Sequence, residues 1–145
     1  MKQVSFFLIA CCLFLVSCDN YGKKYSPDKS HGVFYKGEGL TETHARKLYD
    51  YLLSIGYFTT GKDASVQITK SKDTFNVNFV CNKDKLTPEM EEAFVIIGGS
   101  VSTSVFDGNP VSVKLCDKYL KPFKDLGYTP PVRDEEIKDE KIQGQ

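Results

Sequence analysis

The sequence has no tryptophan and only two histidines, His31 and His44. None of its five cysteines falls in a Cys-x-x-Cys pair, and the histidines are not at His-x-x-x-His spacing. A structural zinc needs three or four such ligands at recurrent spacing, so nothing here points to a metal. Gly37-Glu38-Gly39 has two glycines of a dinucleotide fingerprint and lacks the third. No serine or cysteine is spaced to act as a nucleophile with His44 as base, and His44 reads as a solvent-facing helix residue. An excess of one charge is also missing: nineteen Lys and Arg balance nineteen Asp and Glu, for a formal net charge of zero. That balance gives no electrostatic footprint for nucleic acid or anionic lipid, and both are set aside as partners. The expectation is a protein with no catalytic residue, no metal, no cofactor and no enzymatic activity.

A long apolar run is missing too. Val4–Leu15 falls well short of the roughly 20 residues a spanning helix needs, but suits the h-region of a secretory signal, about 7–15 residues. Lys2 stands before it, and Val16-Ser17 and then Cys18 follow. The ending Leu15-Val16-Ser17-Cys18 resembles the lipobox of bacterial lipoprotein precursors. That resemblance implies cleavage between Ser17 and Cys18, and acylation of Cys18 with palmitate-type chains. It also implies a body held outside the cytoplasm, in the cell envelope. Two or more chains would anchor it stably, each buried methylene adding about 0.8 kcal/mol. Cys11 and Cys12 leave with the signal. Cys81 and Cys116 stay in a compartment that permits disulfides.

The chain divides into a signal (1–17), a lipidated cysteine and polar tether (18–30), a body (31–127) and a charged, disordered tail (128–145). Lys23 and Lys24 read as residues that keep the tether solvated. In the body, Val33-Phe34-Tyr35 suggests a first strand. Thr41 is a helix cap, Ala45, Leu48, Leu52 and Ile55 form one apolar stripe, and Gly56 ends the helix. Ser65–Thr69 and Thr74–Cys81 alternate with period two across a polar turn, which reads as a hairpin. Thr87 and Pro88 open a second helix that carries Gly98-Gly99, which reads as close packing of that turn on the sheet or the first helix and not as a ligand-binding glycine turn, since no strand runs directly into it; Asp107–Pro110 breaks the helix. Val111–Cys116 reads as the last strand, followed by a helical turn near Leu120 and Phe123.

Strand, helix, strand, strand, helix, strand is the order of a ferredoxin-like α+β sandwich. The expected fold is a split β-α-β arrangement, with two helices on one face of a four-stranded antiparallel sheet. In that topology the strands of Cys81 and Cys116 are separated by the first strand, so no disulfide is expected. Tyr51–Phe58, Ser65–Thr69, Val105–Gly108 and Val113–Asp117 together resemble a small domain of uncharacterised bacterial proteins. The resemblance implies a domain and no reaction. Two contact surfaces are candidates: Tyr51, off the apolar stripe, and the second sheet face with Gln67, Asn76 and Asn78. The expected role is a lipid-anchored, non-enzymatic binding or structural module of the envelope, with an unknown envelope protein as a further partner. The alternatives are a small extracytoplasmic enzyme or enzyme inhibitor, and an accessory subunit of an envelope complex.

Overall fold

A computed structural model describes residues 21–59 and 61–129. The signal, Ser17, Cys18 and the tail from residue 130 onward lie outside the described residues. Six strands form one sheet in the order of their occurrence: β1 (Lys23–Tyr25), β2 (His31–Lys36), β3 (Ala64–Ser71), β4 (Thr74–Val80), β5 (Val111–Cys116) and β6 (Pro122–Thr129). Helix α1 (Glu42–Ser54) joins β2 to β3, and α2 (Pro88–Ser104) joins β4 to β5. The class is α+β.

The four-stranded antiparallel ferredoxin-like sheet is incorrect. The sheet has six strands and is mixed: β2 pairs with β3 and β4 with β5 in parallel, while the remaining pairs are antiparallel. Each crossover therefore joins direct neighbours, and neither β-α-β unit is split. Two edge strands lie in segments without a period-two pattern. Lys23–Tyr25 lies inside the stretch read as tether, and Pro122–Thr129 replaces the helical turn expected around Phe123.

The hairpin and both helices form where the residue pattern puts them. Thr87 accepts a hydrogen bond from the Met90 amide (3.3 Å), and Pro88 takes the first helical position, where its missing N–H costs nothing. At α1 the Thr41 amide donates to Nδ1 of His44 (3.2 Å), so a histidine fills the capping-box place usually held by Glu or Gln.

Alternation along the strands sends one set of side chains to the core. Val33, Val66, Phe79 and Leu115 are register neighbours across β2–β5, and all are 0% exposed. Leu48 and Leu52 of α1 and Val101 of α2 close over that face. Tyr49 of α1 meets Tyr25, the register partner of Val33, while Gly98 of α2 abuts Val113. Both helices thus cover the same face, and both crossovers step the same way across the sheet. Because β2 and β3 run opposite to β4 and β5, the two crossovers must have opposite hands. One of them departs from the right-handed rule that about 98% of such connections obey.

Candidate functional site

The tightest polar cluster gathers around Asp28, in the turn between β1 and β2. Ser26-Pro27-Asp28 is a turn sequence, and Asp28 Oδ1 accepts from the amides of Ser30 (2.8 Å) and His31 (2.6 Å). Its Oδ2 accepts from the Tyr49 hydroxyl (2.6 Å) and faces His31 Nδ1 (2.8 Å). The other ring nitrogen of His31 lies 3.0 Å from the Thr59 carbonyl, and the residue is only 6% exposed. Both nitrogens face acceptors, so only the imidazolium satisfies the two together. The Tyr49 hydrogen bond, then that of His31, holds the Asp28 carboxyl well below the usual carboxylate range. Asp28 in turn raises His31 above its ordinary value, and its hydrogen bond pushes Tyr49 up to about 12. The cluster ties the β1–β2 turn, α1 and the loop before β3 into one clasp. With Nε2 committed to a backbone carbonyl, its chemistry is cohesion. Sequence reasoning missed it by assigning Asp28 to the tether, although the turn signature and the following strand were both visible.

The face away from the helices carries Gln67, Asn76 and Asn78. They are 8%, 9% and 5% exposed, buried more deeply than a free sheet face would leave them. Gln67 and Asn78 sit directly opposite each other on β3 and β4. Asn78 Nδ2 donates to Gln67 Oε1 (2.9 Å), and Gln67 Nε2 donates to the Tyr21 carbonyl (3.0 Å). Among the described residues Asn78 Oδ1 has no partner, which costs about 1–3 kcal/mol for a buried acceptor. Beside them Phe34 carries the Tyr21 ring edge-on and the Lys24 ammonium above it. Gln67 and Asn78 thus join the segment at Tyr21 to β3 and β4. Tyr51 is half-buried against the core, separate from this face.

His44 is half-buried: its ring centre lies 6.0 Å from that of Phe75 and 5.9 Å from that of Phe106. Burial, then the charge of Lys47, lowers its pKa. Cys81 and Cys116 are free thiols. Contrary to expectation, their strands are neighbours, and the Cys81 amide donates to the Cys116 carbonyl (3.0 Å). Burial raises both thiols, Cys116 to about 11. Among the described residues no group of three or more His, Cys, Asp or Glu could hold a metal ion, and no helix is long and apolar enough to cross a membrane. An apolar hollow of about 260 Å³ lies between Tyr57 and Met90, Ala93, Phe94 and Ile97 of α2.

No curated protein and no solved structure matches the chain. A family model for the N-terminal domain of an uncharacterised family matches residues 28–127, most of the chain and nearly all of the sheet with its two helices, and the chain belongs to that family.

Proposed function

We propose that the chain is a lipid-anchored protein of the bacterial cell envelope, cleaved behind Ser17, acylated at Cys18, and acting as a non-enzymatic binding or structural module. The observation that carries this reading is the sequence Leu15-Val16-Ser17-Cys18 at the end of a charged-start, apolar segment of signal length. Two features of the body support it. The first strand begins at Lys23, so the sheet follows Cys18 almost at once. The Asp28–His31 pair, the one Asp–His pair among the described residues, ends on the Thr59 carbonyl, which makes it part of the scaffold.

Mass spectrometry of the protein from its native membrane, beside a Cys18→Ser variant, tests the anchor. The expected result is a mature N-terminus at Cys18 carrying acyl mass, with neither the cleavage nor the added mass in the variant. A chain retaining residues 1–17, or one cut elsewhere and unmodified, sinks the proposal.

A further inference from the structure

Both helices cover one face of the sheet, yet the middle of the other face is not open. Gln67 and Asn78 are buried there with no helix above them. Part of their cover is the chain as it enters. Gln67 Nε2 holds the Tyr21 carbonyl (3.0 Å), and the Tyr21 ring stands edge-on to Phe34, 5.8 Å between ring centres. Gly22 follows at φ +89°, where a Cβ would collide with the Tyr35 carbonyl. Tyr21 and Gly22 are therefore seated on the sheet before β1 begins.

The chemistry of this cover is incomplete. Asn78 Nδ2 donates to Gln67 Oε1 (2.9 Å), whereas among the described residues Asn78 Oδ1 accepts nothing. Native folds give a buried amide oxygen a donor, because leaving it bare costs about 1–3 kcal/mol. Gln67 and Asn78 are register partners on neighbouring strands, with Cβ atoms about 5 Å apart. The bare oxygen thus lies one strand beyond the point where Tyr21 is held. Asn20 is the next residue of the chain, and its carboxamide is a donor of the right kind.

We infer that residues 18–20 continue across the helix-free face from β3 towards β4, and that the Asn20 carboxamide donates to Asn78 Oδ1. Three Cα-to-Cα steps, about 11 Å at most, separate Cys18 from Tyr21. Cys18 then leaves the body from the helix-free face, two residues beyond the last contact, instead of from the end of a free tether. The path itself does not need acylation. Joined to the anchoring proposed above, it turns the helix-free face to the membrane and both helices outward.

NMR and thermal melts of the full protein taken from its native membrane into detergent test the path, with the mass of Cys18 read in the same sample. Nuclear Overhauser contacts are expected between the side-chain amide protons of Asn20 and Asn78. Asn20→Ala, a change a free tether would not feel, is expected to lower the thermal midpoint by about 4 °C. In an Asn78→Ala background the same change should have no further effect. Should that background not fold, the contacts and the single Asn20→Ala variant decide alone. Absent contacts with an unchanged midpoint overturn the path and leave the anchor standing. An Asn20→Ala effect of equal size in both backgrounds also overturns it, because Asn20 then acts elsewhere. Contacts present beside an unmodified Cys18 uphold the path and overturn the anchor.

Discussion

The ring of His31 lies between the Asp28 carboxylate and the Thr59 carbonyl, whereas Nδ1 of His44 receives the Thr41 amide. One site needs the charged imidazole and the other the neutral one, so their effects on stability oppose each other. His31 has a raised folded pKa. Its contribution is complete below the unfolded value, about 6.5, and is lost as the pH rises through the folded value. His44 has a lowered folded pKa. Its contribution is complete above about 6.5 and is lost as the pH falls through the folded value. Asp28 adds a second acid limb, lost only as the pH falls below the ordinary carboxylate range. Thermal midpoints from about pH 4 to 9 should therefore show a maximum on the mildly acidic side of neutrality. His31→Gln should lower the midpoint at pH 6 and flatten the alkaline limb. His44→Gln keeps an acceptor for the capping box and should flatten the limb just below neutrality. An alkaline limb unchanged in His31→Gln would show that the ring is not charged in the clasp.

Helix α2 packs directly on the sheet at Gly98. A Cβ there would lie 2.5 Å from Val113 Cγ2 and 2.7 Å from Thr129 Oγ1, and that hydroxyl already donates to the Val111 carbonyl (3.2 Å). Alanine would gain about 1 kcal/mol in helix propensity but overpack a fully buried contact, at a cost of about 1–3 kcal/mol. Gly98→Ala is therefore expected to lower stability by up to about 2 kcal/mol in a denaturant melt; a stabilised variant would mean that the helix can back away from the sheet. The sequence reading had expected close packing at Gly98-Gly99, because a strand-to-phosphate-loop context was missing there. Elements with strong period or cap signals were legible in the same way: both helices, the hairpin and β5. The edge strands were not. β1 is three residues long, and β6 carries Pro122, Lys124, Asp125 and Gly127, with register shifts against β5. Those features keep an edge from pairing with another chain, and they also erase the period-two signal.

Alternation shows which side chains share a face, but it does not order the strands, and here the order settles the fold. The same β-α-β-β-α-β pattern suits a split sandwich with both crossovers right-handed, and it suits the sequential sheet of this chain with crossovers of opposite hand. The error passed to the cysteines. A split sandwich separates their strands, whereas β4 and β5 are parallel neighbours. The clasp was equally hidden, because it joins residues from three segments, Asp28, Tyr49 and Thr59, through contacts that no periodicity records. Sequential order also shapes the stability of the whole molecule. β3 and β4 are central, joined by a short turn, and carry Val66, Ile68, Val77 and Phe79 at 0% exposure. Outward from them lie the two parallel crossover pairs, and then the antiparallel edges. Opening β1 breaks its three-residue pairing with β2 and the contacts of Tyr25 and Lys24 with Tyr49 and Phe34, while opening β3 or β4 breaks the core itself. Native-state exchange should therefore be graded by position. Amides of β3 and β4 are expected to exchange only through global unfolding, at about 5–15 kcal/mol for a domain of this kind. Those of β1 and the outer half of β6 are expected to open at far smaller cost. Edges that exchange as slowly as the centre would mean that the sheet opens as a single unit, and that the clasp at His31 binds β1 and its turn to the core as firmly as the core holds itself.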